Sequence, residues 1–125
     1  MSKQKKKENT QELLDIIIKG IQEVKGENIS VLDLRELPHT ISDYFVVCDA
    51  NSNTQVKAIA RSIEKLTKEL LNERPAHTEG KENSLWVLMD YTDIIVHIFY
   101  KETREKYRIE DLWGDARIRT IDARA

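Results

Sequence analysis

"YFVVCDANSNTQVKAIA", residues 44–60, decides how the rest of the chain is read. An apolar run, Tyr44 to Cys48, stops at a cluster of Asp, Asn and Ser, and a helical pattern starts at once. Continuous apolar character over so few residues suits a strand covered on both faces. Ser52 with Gln55 three residues later is a capping box, and Val56, Ile59, Ala60, Ile63, Leu66 and Leu70 form one helical stripe after it. Strand, polar turn and helix is also how many proteins hold a phosphate on helix N-terminal amides. A phosphate cradle needs glycines for close backbone approach, and none stands between Asp43 and Arg74. The loop therefore reads as a cap.

Working outward, Asn9 and Glu12 form another capping box, followed by Leu13, Leu14, Ile17, Ile18, Ile21 and Val24 at helical spacing, with Lys25-Gly26 as the stop. Ile29 to Leu34 alternates apolar and polar positions like a strand, and Arg35 to Ser42 is long enough for a loose hairpin connection. After Pro75, residues 76–83 read as an exposed loop. Leu85 to Asp90 and Ile94 to Tyr100 are strands joined by a short turn; Lys101 to Tyr107 is a short helix and Ile109 to Trp113 a further helical turn. The order is α-β-β-α-β-β-α: an α/β domain with a mixed sheet of about four strands and helices mainly on one face. The second strand, the long helix and the third strand should form a parallel, right-handed crossover. Residues 1–8 read as a basic disordered tail, 9–116 as one domain, and 117–125 as a loosely attached end.

The charge pattern excludes several classes. Net charge is −2, and residues 13–100 hold nine basic against fourteen acidic side chains, so no basic stripe grips nucleic acid; contact with RNA should be peripheral. No apolar stretch approaches the roughly 20 residues of a bilayer span, and no signal core follows the lysines, which points to the cytoplasm. Cys48 is the single cysteine, so no internal disulfide forms.

Candidate chemistry is sparse. Asp90 and Asp93 suggest paired metal carboxylates, but they stand three apart across a turn, which suits turn capping better. His97 sits alone in an apolar strand, without the spacing of a metal site. Cys48 ends an apolar run and reads as an inert thiol, and no G-x-S-x-G element exists. What remains is a concentration of aromatics, Trp86, Tyr91, Tyr100, Tyr107 and Trp113, interleaved with Arg104, Lys106 and Arg108. Such residues dominate interface energetics, so a docking surface is expected rather than a catalytic pocket, with no cofactor and no metal.

"SDYFVVCDANSNTQVKAIARSI", "LWVLMDYTDIIVHIFYKETREKY" and "IEDLWGDA" together resemble the ribosomal silencing factor, or Iojap-like, family, in order from about Leu13 to Ala116. The resemblance implies a non-enzymatic protein that binds the large ribosomal subunit through that subunit's protein number fourteen, blocks joining of the small subunit and represses translation under nutrient limitation. It also implies a nucleotidyltransferase-like fold, here without the Gly-Ser element or the Asp-x-Asp pair of that superfamily. The docking surface it implies includes Trp86, with Leu88, Met89, Asp90, Asp93, His97, Tyr100 and Arg104 as further candidates. Strand alternation forbids all of them from facing one way, and the face of Trp86, Leu88 and Asp90 is the favoured one. Large-subunit assembly is the alternative role, a nucleotidyltransferase-like enzyme a more distant one, and a homodimer is the expected form of the free protein.

Overall fold

The computed structural model describes residues 3–38 and 40–122. Expectations for Met1, Ser2 and residues 123–125 lie outside the described residues. In chain order the elements are α1 (Lys3–Glu23), β1 (Glu27–Asp33), β2 (Tyr44–Ala50), α2 (Asn53–Leu71), β3 (His77–Glu79), β4 (Trp86–Asp90), β5 (Ile94–Tyr100), α3 (Lys101–Tyr107), α4 (Ile109–Leu112) and β6 (Arg117–Ile121). The α/β class holds, but the sheet has six strands, ordered β3-β4-β5-β2-β1-β6.

The local signals explain most boundaries. Ser52 caps α2, its hydroxyl accepting from the Gln55 backbone N–H at 3.1 Å. Gln55 does not close the box; its amide reaches across to the Val24 and Lys25 carbonyls and ties α2 to the end of α1. Asn72 ends α2 in the left-handed conformation. The Asn9 capping box is not used, because α1 already starts at Lys3; residues 3–8, expected as a disordered tail, continue its helix. No Gly or Pro interrupts that stretch.

Two expected regions without regular structure are edge strands. His77–Glu79 adds to β4 at one end of the sheet. Arg117–Ile121, expected as a loose tail, pairs along β1 from Ile29↔Ile121 to Asp33↔Arg117. β3 is polar, and β6 carries Arg117, Arg119 and Thr120 around an exposed Ile118, which masks the strand pattern and suits an edge exposed to water. The crossover also differs from expectation. β2 is parallel to β5, with Tyr44↔Ile94 through Ala50↔Tyr100, and β4 lies beyond β5, antiparallel to it. β5 is buried almost throughout, whereas β4 alternates between half-buried and buried, so the more apolar strand of the hairpin takes the central place.

Two separate cores result. α1 and α2 pack on one face around Leu14, Ile17, Ile21, Ile59, Ile63, Met89, Ile94 and Ile98. Leu32, Leu34, Phe45, Val47, Ile95, Phe99 and Ile109 of α4 form a smaller cluster on the other face, flanked by half-buried Trp86, Leu88 and Trp113. No described helix is long and apolar enough to cross a membrane.

Candidate docking site

The site starts from a turn. Gly80 has φ +88°, and a Cβ there would come within 2.0 Å of the Trp86 carbonyl oxygen, so only glycine lets the segment before β4 fold back on Trp86. Ser84 closes the same turn, its N–H donating to the Gly80 carbonyl and its hydroxyl to the Lys81 carbonyl. Trp86 therefore enters β4 from a fixed corner.

Alternation then sorts the candidates. Trp86, Leu88 and Asp90 are half-buried on the face of the smaller core, while Val87 and Met89 are buried against α1 and α2. Met89 is fully enclosed and, contrary to expectation, offers nothing at the surface. Tyr100 packs against the helix-side core, and the Asp93 carboxylate accepts from the Thr10 hydroxyl of α1 at 3.4 Å, so both belong to the opposite side from Trp86. Asp90 caps the turn, accepting from the Thr92 N–H at 2.7 Å. The two aspartates thus act on different neighbours, and among the described residues no cluster of three metal-ligating side chains occurs.

Around Trp86 the structure gathers rings. Its indole stacks on Phe99 at 4.9 Å with 29° between planes, and meets Tyr107 of α3 at 5.2 Å and 44°. Its N–H donates to Nδ1 of His97 at 3.1 Å. His97 is 3% exposed and lies edge-on to Phe45 at 4.7 Å. It sits beneath the surface, behind Trp86, and is not exposed for the direct contact expected of it. Burial lowers its pKa to about 4, leaving the ring neutral at ordinary pH. A shallow cavity of about 290 Å³ lies elsewhere, between α1, β1 and β6, lined by Arg35, Arg117 and Arg119. The hollow beside Trp86, about 250 Å³, is bounded by Gly80, Asn83, Leu85, Thr103, Lys106 and Tyr107.

Arg104 was expected at the surface and is instead a clamp. Its side chain is 11% exposed, and the guanidinium pairs with Asp49 at 3.1 Å and Glu110 at 3.0 Å, with further bonds to Ser30 and the Asn28 carbonyl. Planar, multiply donating geometry makes arginine suited to holding several acceptors at once. The clamp fixes α3 and α4 over the smaller core and so keeps Tyr107 beside Trp86. Trp113 packs edge-on to Phe45 at 5.6 Å and is part of that core. Tyr91 is buried on the helix side, its hydroxyl 2.9 Å from that of Thr67, and burial raises its pKa to about 12. Burial likewise pushes the Cys48 thiol up, as expected for an inert cysteine.

Sequence reasoning missed Leu85 and undervalued Tyr107. Both are exposed, at 41% and 53%, and both border the Trp86 hollow. The aromatic clustering signalled Tyr107; a leucine in a polar turn just before a strand was the signal for Leu85.

A half-buried tryptophan caged by aromatics, on the sheet face opposite a closed helical layer, marks a small α/β domain with one aromatic surface site. The family model described as "Ribosomal silencing factor during starvation" matches residues 7–125, and the chain belongs to the ribosomal silencing factor family. It is 38% identical over 108 residues to Ribosomal silencing factor RsfS of Halalkalibacterium halodurans, covering 86% of this chain and 91% of that one. It is 36% identical over 114 residues to the protein of the same name from Bacillus subtilis, covering 91% and 95%. A crystallised Chromobacterium violaceum protein superposes with a TM-score of 0.78 at 36% identity, covering 83% of this chain and 85% of that one.

Proposed function

We propose that this chain binds the large ribosomal subunit through the subunit's protein number fourteen, with Trp86 at the centre of the contact, and excludes the small subunit by occupying the joining face. The outcome is repression of translation under nutrient limitation, exerted in the cytoplasm by a protein without catalytic activity. Family membership supports the ribosomal setting. The observation that carries the reading is the Trp86 surface: a half-buried aromatic anchor bordered by exposed Leu85 and Tyr107, on a strand of the sheet rather than a loop. A domain of this size can cover the roughly 800 Å² per partner of a standard interface, and its bulk then stands where inter-subunit contacts form. Contact with ribosomal RNA is peripheral in this reading. The free protein is expected to self-associate through the same apolar face, which sedimentation equilibrium measures.

Co-sedimentation with isolated subunits, followed by addition of the missing subunit, tests the proposal. Selective binding to the large subunit with fewer joined ribosomes is the expected result. Binding that leaves joining intact would replace exclusion by a role in large-subunit assembly, and binding to neither subunit would sink both.

A further inference from the structure

His97 presents a cost that the fold does not need. The indole nitrogen of Trp86 can only donate, so Nδ1 of His97 must accept, and the neutral ring carries its hydrogen on Nε2. That Nε2 is buried and has no hydrogen-bond partner among the described residues. An unpaired buried donor is destabilising, and an apolar ring in the same space would not bear that cost. Polar groups kept in a core at the expense of stability are expected where function uses them.

What His97 supplies is orientation. Phe99 and Tyr107 hold Trp86 by its ring faces, and stacking is nearly indifferent to which edge of the indole points inward. The N–H···N bond is not indifferent. We propose that His97 is a positioning residue that selects one orientation of the Trp86 indole, tying its only donor inward so that hydrocarbon alone is offered to the docking partner. A prealigned anchor loses less rotamer freedom on binding, so the partner meets a finished surface of apolar character. This inference rests on the Trp86 docking reading and deepens it.

Two substitutions separate positioning from packing. His97→Phe keeps a ring and removes the acceptor; His97→Asn keeps an acceptor near the position of Nδ1 and removes the ring. The expected orders are crossed. By urea denaturation His97→Phe should equal or exceed the parent and His97→Asn should fall below it. In binding to isolated large subunits, His97→Phe should be weakened about five- to tenfold, the worth of one hydrogen bond, while His97→Asn stays closer to the parent. The Trp86 indole N–H, followed by ¹⁵N NMR with Trp113→Phe as the assignment control, should be protected from exchange in the parent and His97→Asn and unprotected in His97→Phe. Binding that simply follows stability, or parental binding by His97→Phe, would overturn the positioning role. If the larger phenyl ring prevents folding, His97→Leu carries the same expectations. Trp86→Ala, run alongside, tells the two levels apart: normal binding by that variant sinks the docking reading and this inference together, whereas its loss beside normal His97→Phe binding sinks this inference alone.

Discussion

The two faces of the sheet are built from alternate residues of the same strands and differ in kind. Toward α1 and α2 the strands send Val46, Val87, Met89, Ile94, Val96 and Ile98, aliphatic side chains sealed from water. Toward the other side they send Leu32, Phe45, Val47, Ile95, His97 and Phe99, a buried mixture of aliphatic chains and rings, with Trp86 and Leu88 only half-buried beside it. Aliphatic chains fill a closed space tightly, while aromatics offer large rigid area with a polar handle. One face therefore holds the fold together, and the other can present a surface without risking collapse of the first.

The comparison is broken most severely by Ile63→Ala. Ile63 is fully buried where α2 meets Gly20 of α1, and its loss should cost about 4 kcal/mol of stability, read from the urea midpoint, with binding per folded molecule unchanged. A binding defect in the remaining folded fraction would show that the two faces are not independent.

Acid sharpens the contrast next. Unfolded histidine takes a proton near pH 6.5, while folded His97, surrounded by uncharged Phe45, Trp86 and Phe99, holds out until about pH 4. Between those values the unfolded state binds more protons, so stability present above pH 6.5 is lost as pH falls toward 4. The stability difference between His97→Phe and the parent should widen in favour of the variant by about 3 kcal/mol over this window, measured by urea titrations at each pH. A constant difference would mean that His97 titrates normally.

Trp86→Ala should cost about 2 kcal/mol of binding to large subunits while unfolding stays cooperative. Global unfolding would move Trp86 into the structural category and merge the two faces. Tyr107→Ala, at the exposed rim of the same cage, is the smallest expected effect: about 1 kcal/mol of binding and little change in stability. An effect larger than that of Trp86→Ala would shift the centre of the site to α3.

Much of this division was legible beforehand. The all-apolar Tyr44 to Cys48 run, the Ser52 cap and the alternation around Trp86 are local signals, and each produced the element or face it implied. What escaped depended on distant partners. β6 is a strand only because β1 offers it an edge, and Arg-Ile-Arg-Thr-Ile announces nothing by itself. The place of β5 beside β2 could have been inferred from its greater apolar content, yet chain order suggested β4. Arg104 looked like a surface residue because its partners Asp49 and Asn28 lie far back in the sequence. His97 and Trp86 meet diagonally across a hairpin, a pairing that only the register of β4 on β5 defines.

The long reach of the central pairing bears on how the molecule comes into being. β2 finds its parallel neighbour only when Ile94 to Tyr100 has been made, and β1 finds its outer one only with Arg117 to Ile121. During synthesis the first half of the chain can form helices and one hairpin, but one flank of β2 stays bare, an apolar edge open to wrong partners. Non-local closure of this kind is slow beside helix formation. The Trp86 cage, which needs Tyr107, cannot close before that part of the chain has been made, so its aromatic surface is unfinished for most of the chain's elongation.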